Sequence, residues 1–144
     1  MQGFGNVGYH VSKFLTEDDG AKLIGIAEYN GGIFNEEGIN VEHAKKYFLK
    51  NRTFEKYPKA TFIKDANLLL KRKCDILIPA AREDVITEKN AEDVSAKLIV
   101  EAANGPISYK GNQILNRKKI FVIPDILANS GGVAVSYFEW TKNI

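Results

Sequence analysis

The chain has 144 residues, which is enough for one domain with its own hydrophobic core. Its 20 Lys and Arg residues nearly balance its 18 Asp and Glu residues, so charge favours neither a nucleic acid nor an anionic membrane as partner. The one cysteine excludes an internal disulfide framework, and the two histidines are too scattered for a zinc site. No apolar run is long enough to span a bilayer.

A glycine-rich motif of the form G-x-G-x-x-G opens the chain, with its glycines at Gly3, Gly5 and Gly8. Apolar residues at helical spacing follow it and predict a helix. In such a motif the first glycine permits a tight turn, the second lets a pyrophosphate approach the backbone, and the third lets the helix pack on a strand. The unpaired N–H groups at the helix start would then face the phosphates.

An acidic residue supports this interpretation of the motif. The β-rich apolar run at 21–27 ends at Glu28, which lies 20 positions after Gly8. An acid at this point can accept hydrogen bonds from the adenosine ribose of a dinucleotide. Glycines, helix, strand and acid together predict dinucleotide binding. The alternative is a plain turn into a helix, with a surface glutamate nearby.

The motif normally follows a β-strand. Only Met1 and Gln2 precede Gly3 here. We therefore expect a chain that lacks the first strand of its domain and is truncated at the N-terminus.

Helices and strands alternate along the rest of the chain. Paired glycines at 31 and 32 suggest a small hairpin, and Asn40 can cap the helix that follows. The pattern predicts strands at 22–27, 61–63, 75–81, 97–102 and 120–123, and helices at 41–50, 65–70, 88–94, 109–118 and 133–142. This alternation predicts an α/β fold, a Rossmann-like doubly wound parallel sheet with helices on both faces.

The loops that follow the strands should meet at one edge of this sheet, where open α/β sheets bind their ligands. We expect Gly5, Ala80, Asn104 and Asn129 along that edge. Small residues at 80 and 81 leave room for a bound molecule, although ordinary tight packing would also explain them. The predicted core of the sheet consists of Leu23, Ile24, Ile76, Ile78, Leu98, Val100, Phe121 and Ile123.

Four stretches, taken in order, resemble the cofactor domain of the glutamate dehydrogenase family. They are Gly3-Phe4-Gly5-Asn6-Val7-Gly8, the run at 75–81, Ala103-Asn104-Gly105-Pro106, and Asn129-Ser130-Gly131-Gly132-Val133 with the Ser-Tyr-Phe-Glu-Trp ending at 136–140. The similarity spans nearly the whole chain, so it implies that residues 1–144 are a partial NAD(P)-binding Rossmann domain of this family, without the substrate domain. The last stretch is the most specific, because related leucine and phenylalanine dehydrogenases lack its ending.

The resemblance implies a reversible oxidative deamination of L-glutamate to 2-oxoglutarate and ammonia, with NAD as cofactor and NADP possible. It assigns the pyrophosphate to the loop and the adenosine ribose to Glu28. It assigns the adenine side of the cleft to Ala80 and Ala81, and the nicotinamide ribose and carboxamide to Asn104 and Asn129. The residues implied in the loop are Gly3, Phe4, Gly5, Asn6 and Val7. Ser136 would reach the side-chain carboxylate of the substrate.

The segment at 31–35 and the loop around Pro58 look closest to the mitochondrial and related hexameric forms. The resemblance therefore implies a homo-hexamer in the mitochondrial matrix, or in the cytoplasm of a prokaryote. No nucleic acid or membrane partner is expected.

The family's catalytic lysine and aspartate belong to a substrate domain that these residues do not include, so no catalytic residue is assigned here. We interpret Asp125, after Pro124, as a loop-capping residue. Two alternatives stay open. One is a binding-only nucleotide module without chemistry, and the other is a dehydrogenase of another amino acid.

Overall fold

The computed structural model describes residues 1–142, which form an α/β fold of two three-stranded sheets with helices around them. The helices are α1 (Asn6–Glu17), α2 (Val41–Asn51), α3 (Asn67–Leu70), α4 (Tyr109–Arg117), α5 (Asp125–Ala128) and α6 (Ser130–Lys142). The strands are β1 (Gly25–Glu28), β2 (Gly31–Phe34), β3 (Thr61–Ile63), β4 (Cys74–Leu77), β5 (Ala96–Val100) and β6 (Phe121–Ile123). The helix predicted at 88–94 is a single 3₁₀ turn, Ala91–Asp93.

The second half of the chain forms the expected parallel sheet, in the order β4-β5-β6. Ile76 of β4 pairs with Leu98 of β5, which in turn pairs with Phe121 of β6. Helix α4 connects β5 to β6, as a crossover between parallel strands requires.

The first half differs, because β1, β2 and β3 pair antiparallel. The prediction of a wholly parallel sheet is therefore wrong for β2 and β3, although the hairpin is confirmed. Glu28 pairs with Gly31, so only two residues connect β1 to β2, and so short a connection can join only antiparallel strands. Gly31 has a φ of +125°, a conformation that other residues rarely adopt.

Met1 and Gln2 join the two sheets. Gln2 forms parallel bridges with Ala27 on one side and with Pro79 on the other. Met1 and Gln2 thus lie where the strand expected before Gly3 would lie. β1, residues 1–2 and β4 lie side by side, and the loops after them share one edge.

Local capping agrees with the sequence at α2, where the side chain of Asn40 accepts a hydrogen bond from the His43 N–H. At α3 the N-cap is Ala66, which makes no side-chain cap, and the Asp65 carboxylate before it accepts a hydrogen bond from the Asn67 N–H at 3.0 Å. No helix among residues 1–142 is both long enough and apolar enough to cross a membrane.

Two clusters of buried side chains stabilise the fold. One lies under β4, β5 and α4 and consists of Leu70, Leu77, Val85, Ile86, Ala91, Val94, Ala96, Ile99, Ile114, Leu115 and Ile120. The other lies between the hairpin and α2 and consists of Phe4, Ile26, Ile33, Ile39, Val41, Ala44, Phe54 and Tyr57. Phe4 belongs to the second cluster, so the glycine loop is anchored in a core.

The predicted core of the parallel sheet is largely wrong. Of its eight residues only Ile78 is buried; Ile76 and Phe121 are exposed, and the rest are half-buried. Side chains alternate between the two faces of a strand, and the covered face carries Leu77 and Ile99. Ile76, Leu98 and Phe121 share the opposite face, which the described residues leave largely open.

Two isoleucines on neighbouring strands test this assignment of faces. Ile99→Ala should lower the free energy of unfolding by about 2–5 kcal/mol, because it leaves a cavity in a packed core. Ile76→Ala, at a side chain that is 41% exposed, should lower it by less than half as much. Urea unfolding followed by circular dichroism measures both, and equal losses would contradict the assignment.

Candidate functional site

The turn before α1 depends on Gly3, which is buried and has a φ of +86°. Its N–H donates to Ala27 O at 2.7 Å. A Cβ at this position would lie 2.7 Å from the Cβ of Ala81, closer than real side chains approach. Both the backbone conformation and the space therefore require glycine, and the predicted tight turn is confirmed.

The other two glycines have different surroundings. Gly5 is the N-cap of α1, and a Cβ there would meet nothing within 4 Å. A Cβ at Gly8 would lie 2.0 Å from Gly3 O. The close approach that Gly8 permits is therefore between α1 and the turn before it, whereas Gly5 faces open space.

The first turn of α1 presents backbone N–H groups at this open space. No side chain caps the helix, and Asn6 and Val7 are exposed. The first N–H groups of a helix have no partner within the helix, and the helix dipole makes this end positive. Such an end attracts anions, and phosphate groups above all.

Glu28 lies against the glycine loop. Its Oε1 accepts a hydrogen bond from the Phe4 N–H at 2.5 Å, and its Oε2 accepts one from the Tyr29 N–H at 3.3 Å. The acid at the end of β1 and the loop after Gln2 therefore meet, as the spacing in the sequence predicts.

Lys45 also contacts the loop, and sequence reasoning did not select it. Its Nζ donates to Phe4 O at 3.0 Å and lies 5.1 Å from the centre of the Tyr9 ring and 5.6 Å from that of Phe4. The Phe4 backbone is thus held by a carboxylate on one side and an ammonium on the other. In the sequence Lys45 is one of several lysines on a helix, so no signal distinguished it.

Ala80 and Ala81 lie beside the glycine turn. Ala80 N donates to Gln2 O at 2.7 Å, which extends the bridge between the two sheets. Ala81 is exposed, and its Cβ limits the space at Gly3. Tight packing against Gly3 therefore explains why position 81 has a small side chain. The sequence left this open as the alternative to a space for a ligand.

Asn104 and Asn129 are 25 positions apart in the chain, and the structure brings them together. The Asn129 Nδ2 donates to Asn104 Oδ1 at 2.6 Å. Asn104 follows β5, and Asn129 follows α5. The loop with Asn104 leaves the carboxyl end of β5, and the short helix before Asn129 leaves the carboxyl end of the neighbouring parallel strand β6, which explains why the two residues meet.

Asp125 and Glu101 connect the same two loops. The Asp125 Oδ2 accepts a hydrogen bond from the Gly105 N–H at 2.8 Å, and its Oδ1 accepts one from the Ile126 N–H at 2.7 Å. Asp125 is the first residue of α5, whose N-cap is Pro124 and has no side-chain cap, so the prediction of a capping residue in a loop is wrong. The Asp125 side chain instead connects α5 to the loop after β5. The Glu101 Oε2 accepts a hydrogen bond from the Asp125 N–H at 2.9 Å. Sequence reasoning missed Glu101, although an acid within an otherwise apolar run was a usable signal.

Ser136 lies on α6, whose side chains are all exposed. Its hydroxyl donates to Gly132 O, one turn earlier in the same helix, at 3.1 Å. The contact predicted between Ser136 and the side-chain carboxylate of the substrate stays a prediction.

A cavity of about 690 Å³ lies beneath the end of α1, where Leu15, Leu23, Leu70 and Ile76 contribute to its lining. The glycine loop does not line it. Among residues 1–142 no group of three or more metal-ligating side chains is present.

Comparison with known proteins identifies the family. Residues 1–144 match the model of the Glutamate/Leucine/Phenylalanine/Valine dehydrogenase family. The chain therefore belongs to this family of amino-acid dehydrogenases.

Individual relatives make the similarity more specific. The mitochondrial glutamate dehydrogenase of Dictyostelium discoideum is 51% identical over 144 residues, which are 100% of this chain and 28% of that protein. The NADP-specific glutamate dehydrogenase of Saccharolobus shibatae is 48% identical over 99% of this chain and 33% of that protein. The chain thus spans about a third of the length of these relatives.

Among solved structures, the hetero-hexameric glutamate dehydrogenase from Thermus thermophilus is 28% identical and superimposes with a TM-score of 0.86. The match covers 98% of this chain and 32% of that one. The similarity of the two structures therefore extends over both sheets and the loops between them.

Substitutions at two glycines test whether Gly3 is needed for the fold and Gly5 is not. Gly3→Ala should lower the free energy of unfolding by more than about 1 kcal/mol, because it combines a strained φ with a clash at Ala81. Gly5→Ala should lower it by less than about 1 kcal/mol, since Gly5 has an ordinary φ of −68° and free space. Thermal unfolding of both variants measures the difference, and a greater loss for Gly5→Ala would refute this account of the loop.

Proposed function

We propose that residues 1–144 form the Rossmann-type dinucleotide-binding domain of a glutamate dehydrogenase whose substrate domain lies outside these residues. The observation that carries the proposal is the junction of the glycine loop with Glu28. The loop exposes backbone N–H groups at open space around Gly5, and a carboxylate lies at its edge. A diphosphate and a ribose need these two kinds of group side by side.

The residues present fit a nicotinamide dinucleotide. The amides of Gly5, Asn6 and Val7 would hold the pyrophosphate, and Glu28 would hold the adenosine ribose. The Phe4 N–H, which the resemblance also assigned to the pyrophosphate, donates to Glu28 Oε1 and so keeps the carboxylate against the loop. Ala80 and Ala81 would border the adenine side of the cleft. Asn104 and Asn129 would hold the nicotinamide ribose and carboxamide. When bound, the nicotinamide supplies the acceptor for hydride.

The proposed reaction is the reversible oxidative deamination of L-glutamate to 2-oxoglutarate and ammonia. Its support is the family and the names of the relatives that match over nearly the whole chain. We assign Ser136, on the exposed helix α6, to the side-chain carboxylate of the substrate, as the family resemblance implies. The mitochondrial relative favours the mitochondrial matrix as location, and the hexameric structure favours a hexamer.

The chemical steps that remove the amino group need a general base and a group that polarises the carbon–nitrogen bond. Two acids lie beside the proposed nicotinamide end. Asp125 accepts hydrogen bonds from two backbone N–H groups, and Glu101 is buried and accepts one from the Asp125 N–H. Their contacts are those of loop braces. We therefore assign the base to the substrate domain.

Glu28 should determine the choice between NAD and NADP. Its carboxylate would accept hydrogen bonds from ribose hydroxyls and repel a 2′-phosphate, so we expect NAD to be preferred. In the complete enzyme Glu28→Ala should lower the ratio of kcat/KM for NAD to that for NADP by about tenfold, which corresponds to one lost charged hydrogen bond.

Glu55→Ala is the matched control, because Glu55 is exposed and lies on the loop after α2. It should leave the NAD to NADP ratio unchanged. An unchanged ratio in Glu28→Ala would remove Glu28 from the cofactor site.

Because we assign cofactor binding to residues 1–144 and the catalytic base to the substrate domain, the 144-residue chain should have no measurable glutamate dehydrogenase activity. A turnover assay with glutamate and NAD, beside the complete enzyme, measures this. Activity of the short chain above background would mean that a catalytic base lies within residues 1–144.

A further inference from the structure

Glu101 is a buried carboxylate that the proposed mechanism does not use. It follows β5 directly and is only 8% exposed. Burying a carboxylate is costly unless hydrogen bonds compensate, so its position calls for an explanation. Burial raises the pKa of the Glu101 carboxyl above its ordinary value, although the hydrogen bond from Asp125 acts in the opposite direction.

The contacts of Glu101 lead to the neighbouring strand and its loop. Its backbone N–H donates to Ile123 O at 3.0 Å, and its Oε2 accepts from the Asp125 N–H at 2.9 Å. The Asp125 carboxylate then accepts from the Gly105 N–H at 2.8 Å. One hydrogen bond runs from the second loop to the first and one runs back, so the two loops are fixed to each other.

Asn104 and Asn129 lie next to the residues that these hydrogen bonds connect. Asn104 is the residue directly before Gly105, and the Asn129 N–H donates to Asp125 O at 2.9 Å. The Asn129 Nδ2 reaches Asn104 Oδ1 at 2.6 Å. A shift of either loop would change this distance between the amide groups.

We infer that Glu101 is a positioning residue for the nicotinamide end of the cofactor site, which it controls by holding the Asp125 loop against the Asn104 loop. This inference rests on the proposed function, and it assigns to Glu101 no contact with the cofactor. Removing the Glu101 carboxylate should disturb the nicotinamide end and leave the glycine loop and Glu28 intact.

A comparison of NAD with ADP tests the two ends of the proposed site separately. NAD occupies both ends, whereas ADP, measured by its competition with NAD, occupies only the adenosine and phosphate end. In the complete enzyme Glu101→Ala should weaken NAD binding by about tenfold and change ADP binding by less than about twofold. Glu101→Gln keeps an oxygen that can accept the Asp125 N–H, so it should bind NAD nearly as well as the unaltered enzyme.

Glu92→Ala is the matched control, because this exposed carboxylate pairs with Arg117 on the surface. It should change neither affinity. NAD binding that is unchanged in Glu101→Ala would overturn the inference, and so would equal losses for NAD and ADP. If Glu101→Ala does not fold, Asp125→Ala breaks the other hydrogen bond and is subject to the same comparison. An unaltered enzyme that binds neither ligand would instead refute the proposed function.

Discussion

The hydrogen bonds of the first three residues hold the two halves of the structure together. On one side the backbone nitrogen of Met1 donates to Gly25 O at 2.9 Å, and the Gly3 N–H donates to Ala27 O at 2.7 Å. On the other side the Gln2 N–H donates to Ile78 O at 2.9 Å, and Gln2 O accepts from the Ala80 N–H at 2.7 Å. Because one short extended segment pairs with both sheets, the glycine loop that follows it lies at their junction.

Everything that we assign to the cofactor site follows from this junction. The segment at 1–2 aligns the ends of β1 and β4, so Glu28 reaches the loop from one side and Ala81 limits it from the other. The parallel strands β5 and β6 extend the same edge, and their loops bring Asn104 to Asn129. Binding groups that are 100 or more positions apart in the chain are thus held by backbone geometry.

The sequence was informative where local chemistry decides the structure. Asn40 caps α2, paired glycines form the hairpin, and the acid after β1 meets the loop. It was less informative where the outcome depends on distant partners. The sequence of a three-residue strand such as β3 does not indicate whether the strand pairs parallel or antiparallel. The sequence of an apolar run such as 75–81 does not indicate which face of the strand is buried. The errors at Ile76 and Phe121 have this origin.

Some residues of the candidate site could be predicted from the sequence, and others could be found only in the structure. Motif spacing predicted the glycine loop and Glu28, and the rule that ligands bind at the carboxyl ends of strands predicted the meeting of the two asparagines. Lys45 and Glu101 act through contacts that tertiary structure creates, over 41 and 24 positions of sequence. Such contacts have no periodicity or motif, so the structure was needed to find them.

The central claim, that a dinucleotide binds where the glycine loop joins the two sheets, can be tested by hydrogen–deuterium exchange of the complete enzyme with and without NAD. The account predicts slower exchange in peptides that contain residues 3–8 and 104–105, and unchanged exchange in the loop at 52–59. Protection confined to other segments, or none at residues 3–8 at saturating NAD, would contradict it.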